Sequence, residues 1–161
     1  MWLETGLAAA TDGVRLNEAR PEGHFWLAAN MGALAESFGL RQGMKYRGQI
    51  RDAIETTLKL DPAFLQGSAD RALGRWYFKV PGLFGGSNKK SEEHLRKSLT
   101  YNANSVISHL FLADTLADMG RKDEARKEYQ AAIDAPVDPD WTPEDRRFKE
   151  QAKQLLQKLS R

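Results

Sequence analysis

The stretch "VISHLFLADTLADMGRKDEARKEYQAAIDAP", residues 106–136, decides the fold. Its large apolar residues recur at spacings of three and four, the period of an amphipathic helix. Leu112-Ala113 is followed by Leu116, Gly120, Ala125, Tyr129, Ala132 and Pro136. Small side chains at Ala113, Ala125 and Ala132 let two antiparallel helices approach closely. Gly120 permits the left-handed backbone that ends the first helix, and Pro136 disfavours helix at the residue before it. The segment therefore predicts a helical hairpin.

The same period runs through most of the chain. In "GQIRDAIETTLKLDP", residues 48–62, Ile50, Ile54 and Leu58 interleave with Ala53, Thr57 and Leu60, and Pro62 closes the segment. Helices are expected near 2–17, 21–38, 45–60, 63–79, 87–102, 104–119, 121–135 and 143–159. No stretch alternates at period two between turn signals, so no sheet is expected.

The order large–small, leucine or aromatic, glycine, alanine, aromatic, alanine, proline in 106–136 resembles the tetratricopeptide (TPR) repeat. The same frame fits upstream. Leu73-Gly74 and Tyr77 align with Ser91, Leu95 and Ser98, with about five surplus residues in "PGLFGGSNKK", 81–90. Leu27-Ala28 and Met31 align with Ile50, Ile54, Thr57 and Pro62, with about ten surplus residues at "FGLRQGMKYR", 38–47. The fold expected is an all-α, TPR-like α-solenoid of antiparallel helix pairs in one domain, 1–161. It comprises a half repeat at 1–20, repeats near 21–62, 63–103 and 104–136, and a capping helix at 141–161. In that cap Thr142 is placed to cap, and Phe148, Ala152, Leu155 and Leu159 form one apolar stripe.

The glycine-rich 81–90 stretch reads as an expanded turn between two helices. Pro81 stops the first helix, Gly85-Gly86 reverse the chain and Ser87 caps the second. A phosphate-binding loop would follow a strand and carry Gly-Lys-Ser/Thr, and neither is present.

Composition narrows the function. Hydrophobic residues at 41% and charged residues at 29% suit a folded globular chain. A net charge of +2 gives no ground for a nucleic-acid partner. No apolar run approaches a membrane span. The sequence contains no cysteine, which removes disulfides, thiolate metal sites and a cysteine nucleophile. His24, His94 and His109 lack metal-ligand spacing. No Ser-His-Asp arrangement or Gly-x-Ser-x-Gly elbow is recoverable. The reading is of a non-enzyme without a cofactor or metal. The first residues lack the basic start and apolar centre of a secretion signal and read like a helix entered midway. If a leader was removed, the bacterial periplasm is the expected compartment; otherwise it is the cytoplasm.

The segments "RPEGHFWLAANMGALAE", 20–36, and "ADRALGRWYFKVPGLFGG", 69–86, joined to the later repeat, resemble the T-component family of TRAP transporters. A weaker likeness is to the regulator-of-microtubule-dynamics family. The first resemblance implies a helical-repeat protein of bacterial solute uptake that cooperates with a solute-binding protein.

In TPR proteins the first helices of successive repeats line a groove. That arrangement turns Arg71, Arg75, Phe78 and Lys79 towards it. Arg71, Arg75 and Lys79 are four apart and share one helix face, a row suited to clamping a carboxylate. The alternative is that they pair with Asp114 and Asp118 on the next first helix. Trp26 and Trp76 lie beside core positions, where they either wedge between repeats or face a ligand. Asn30 either caps a neighbouring loop or contacts a polar ligand. Arg41, Lys45, Tyr46 and Arg47 form a basic, aromatic patch read as a solvated loop. The function expected is a binding scaffold for a protein or peptide partner. The competing expectation is a binding module for an acidic small ligand held between the expanded turns.

Overall fold

The computed structural model describes residues 2–159. Met1, and Ser160 and Arg161 at the end of the expected cap, lie outside the described residues. Among the described residues the chain is all-α, with eight helices and no strand. It divides between Leu73 and Gly74 into two compact units.

The first unit holds α1 (Trp2–Leu16), α2 (Pro21–Phe38), α3 (Leu40–Leu60) and the start of α4 (Phe64–Lys79). Pro21 opens α2 at a position where a missing N–H costs nothing. Glycine lets α1 and α2 approach closely: a Cβ on Gly23 would lie 3.0 Å from the Val14 amide nitrogen. Ala10, Ala28, Met31, Leu34, Ala53 and Ile54 are buried.

Two local expectations are corrected here. The surplus residues at 38–47 form no expanded turn, because α3 begins at Leu40 and only Gly39, at φ +82°, separates it from α2. Arginine, glutamine, methionine and lysine are good helix formers, so these residues add turns to a helix. Gly43 fits because α2 comes close, with Ala35 Cβ 3.7 Å from where its own Cβ would be. Arg41, Lys45, Tyr46 and Arg47 are accordingly helical. The second correction lies in α4, expected as uninterrupted from 63. Leu65 (φ 43°), Gln66 (φ 57°) and Gly67 (φ 77°) form a left-handed turn before the regular helix resumes. Such backbone costs roughly 1–2 kcal/mol for each non-glycine residue.

The second unit begins within α4. A Cβ on Gly74 would stand 2.5 Å from Leu95 Cγ, so this glycine admits the leucine of α5 (Asn88–Tyr101). Between α4 and α5 the chain makes a 3-10 turn, Gly82–Phe84, closed by Phe84 N–H donating to Pro81 O at 2.8 Å. Ser87 then caps α5 by accepting from the Lys90 amide, as its sequence position indicated. Hydroxyl pairs join α5 to α6 (Val106–Asp118): Ser91 to Thr115 at 2.9 Å and Ser98 to Ser108 at 3.0 Å. These side chains are buried, small and mutually satisfied, so the helices approach closely at little polar cost.

Gly120, at φ +76°, turns α6 into α7 (Lys122–Asp134). The last helix, α8 (Thr142–Leu159), follows a 3-10 turn at Pro139–Trp141. Thr142 is not the expected cap. Its backbone is already helical and its hydroxyl donates backwards to Asp138 O. The 3-10 turn runs straight into α8, and Asp145 instead accepts from the Asp138 amide at 2.9 Å. Lys149 Nζ donates to Ile133 O at 2.7 Å and to Ala135 O, satisfying carbonyls at the end of α7. Ala152 is buried in a core built around Leu95, Leu110, Leu112, Leu116 and Tyr129. Phe148, Leu155 and Leu159 pack against that core, as the stripe predicted.

His109 ties α6 to α7 and to the turn before α6. Its Nδ1 stands 2.6 Å from Glu128 Oε2 and its Nε2 2.9 Å from Ala103 O. Two acceptors face two ring nitrogens, a geometry only the doubly protonated ring satisfies. Burial disfavours the charge, but Glu128 and the Ala103 carbonyl outweigh it and raise the pKa above its ordinary value. The contribution to stability is therefore full below the unfolded value of about 6.5 and is lost as pH rises through the higher folded value. The melting temperature of wild type should fall relative to His109→Gln as pH is raised from 6 to 9. A constant difference across that range would show that folding does not raise the ring's pKa.

Candidate functional site

The last turns of α4 carry Arg75 and Phe78 towards α6. Arg75 Nη1 donates to Asp114 Oδ2 at 2.8 Å, and the other Asp114 oxygen accepts from Tyr129 OH at 2.7 Å. The guanidinium carbon lies 4.2 Å from the centre of the Phe111 ring and 5.0 Å from that of Phe78. Cation–π attraction and the aspartate hold a flat, charged group in one orientation. The Arg75 side chain keeps 21% of its surface exposed, against 13% for Asp114. Burial first, then the Asp114 charge, push the Tyr129 phenol far above its usual range, so it remains a neutral donor at any physiological pH.

The aromatic series continues onto α8. The Phe111 and Phe148 rings meet edge to face at 6.4 Å, and the Arg147 guanidinium carbon lies 4.9 Å from the Phe148 ring centre. Phe78, Arg75, Phe111, Phe148 and Arg147 thus form a ladder across α4, α6 and α8.

The structure brings together Arg75, Phe78 and Asp114 from the expected set. Asp118 is engaged elsewhere, accepting from Asn88 Nδ2 at 2.5 Å. Lys79 is exposed, and Arg71 lies half-buried in the first unit. Trp76 is buried, edge-on to Tyr77 at 5.1 Å. Tyr77 stacks on His94 of α5 at 5.5 Å. In the first unit Trp26 is 46% exposed, edge-on to Phe25, and Asn30 Nδ2 donates to Trp26 O at 2.8 Å. Phe111 was missing from the expected set. Its signal is its place three residues before Asp114 on one helix, which sets both on the same face.

Among the described residues no three His, Cys, Asp or Glu side chains gather as a metal site. No helix among the described residues is long and apolar enough to cross a membrane. The family model described as "TRAP transporter T-component" matches residues 15–161. No curated protein matches the chain.

Proposed function

The chain belongs to the TRAP transporter T-component family, and on that premise we propose that it is a non-enzymatic TPR scaffold whose α4, α6 and α8 present a groove to a protein partner of the transport system. The partner that fits is a solute-binding protein offering a carboxylate to Arg75. The observation that carries this reading is the Arg75 guanidinium, clamped between Phe78 and Phe111 yet one-fifth exposed. Asp114 uses Nη1, and among the described residues Nη2 and Nε have no acceptor, so they can donate to an incoming group. The competing reading, an acidic small ligand between two expanded turns, loses one of those turns, because residues 40–47 are helical.

Surface plasmon resonance against the solute-binding protein of the same transport system tests the proposal. Arg75→Gln should weaken binding by roughly thirtyfold, about 2 kcal/mol, as expected when a charged contact desolvated by a partner is removed. Asp114 keeps its bond from Tyr129 in that variant, so the fold should persist. A lowered melting temperature with unchanged affinity would make Arg75 purely architectural.

A further inference from the structure

The ladder does not stop at Arg75. Arg147 is exposed on α8, and its guanidinium carbon lies over the Phe148 ring. Among the described residues it makes no ion pair, although Glu144 and Glu150 lie within one helical turn of it in sequence. A guanidinium that stacks on an aromatic face instead of reaching a nearby carboxylate is displayed with its edge donors available. Arg75 lies two rings away along the same ladder. The steps between them are 4.2 Å from Arg75 to Phe111, 6.4 Å from Phe111 to Phe148 and 4.9 Å from Phe148 to Arg147. An extended chain advances about 3.3–3.6 Å per residue, so four or five residues suffice to run from one guanidinium to the other.

We propose that Arg147 and Phe148 form a second anchor, and that the groove takes an extended acidic segment whose two carboxylates, separated by two to four residues, meet Arg75 and Arg147 while an apolar or aromatic side chain between them lies on Phe111 and Phe148. The inference rests on the reading of Arg75 as a partner contact and adds the chemistry of the partner. The second anchor comes from α8 and not from Arg71 or Lys79 on α4. Charge complementarity favours an acidic segment over a basic or neutral one, because among the described residues Arg147 has no carboxylate partner and Arg75 gives only Nη1 to Asp114. The half-buried rings between them favour an apolar residue at the centre.

The test is to pan a randomised octapeptide library on phage against the full chain and its Arg147→Glu variant, then titrate the best wild-type peptide by calorimetry. Wild type should enrich peptides with two acidic residues three to five positions apart and an apolar residue between them. Arg147→Glu should lower affinity for the selected peptide at least tenfold without shifting the melting temperature. Changing one acid of that peptide to lysine should restore binding to Arg147→Glu. If Arg75→Gln abolishes binding while Arg147→Glu leaves it unchanged, the second anchor is wrong and the Arg75 reading stands. If neither variant matters, or the library yields no acidic consensus, both are wrong.

Discussion

Truncation after Asp140 should leave a chain that aggregates or melts far below wild type, because α8 completes the core of the second unit. Ala152 is wholly buried and Phe148, Leu155, Leu156 and Leu159 cover the side chains around Tyr129 and Leu112. Burial of one such side chain contributes about 1.5–3 kcal/mol. Several lost together approach the 5–15 kcal/mol that holds an ordinary domain folded. Two polar losses add to this. Lys149 no longer satisfies the carbonyls of Ile133 and Ala135, and the Asp138 amide loses Asp145. The alternative is a dispensable tail, for which the truncated chain stays monomeric with an unchanged melting temperature. Differential scanning calorimetry with light scattering separates the two outcomes.

The second large effect is at Gly86. A Cβ there would lie 1.5 Å from Val80 O and 2.6 Å from Val80 C, both backbone atoms that cannot rotate away. Gly86→Ala must therefore open the turn, breaking Gly86 N–H to Pro81 O and Ser87 N–H to Tyr77 O. A cost of about 3 kcal/mol or more is expected, since forced overpacking and lost backbone bonds act together. For a chain of this size that is a fall of roughly 10 °C. Gly85→Ala is a different case. Gly85 has φ +104°, so the strain is dihedral, but the nearest atom is Trp76 Cη2 at 3.5 Å. About 1–3 kcal/mol is expected there. Equal effects at the two glycines would show that space at Gly86 is not limiting.

That contrast marks how far the sequence could be read. A paired glycine after Pro81 announces a reversal, and Ser87 before a helix announces a cap. Which glycine is needed for its dihedral and which for its lack of a side chain depends on where Val80 O ends up, a tertiary fact. Gly120, Ala125, Tyr129 and Ala132 were legible because close helix packing leaves a small–large rhythm in the sequence. The helical 40–47 segment was obscured by matching it to a repeat frame with a loop at that point; propensity alone, through Arg41, Met44 and Lys45, favoured helix. The left-handed turn at Leu65 and Gln66 leaves no trace, because neither residue type prefers that backbone. At the site, Arg75 and Asp114 were both in view, but as two alternatives. The structure pairs them and leaves the arginine side chain one-fifth exposed. Phe111 and Arg147 depend on three helices coming side by side, and no spacing along the chain records that.

Site-directed photocrosslinking tests most directly the claim that α4, α6 and α8 form the partner-binding face. A benzophenone amino acid placed at Phe78 beside Arg75, and separately at the exposed Lys127 on α7, is irradiated with the solute-binding protein of the same transport system. A crosslinked heterodimer is expected from position 78 and none from position 127. The position-78 product should disappear when Arg75→Gln is added. Equal crosslinking from both positions, or from 127 alone, would contradict the account.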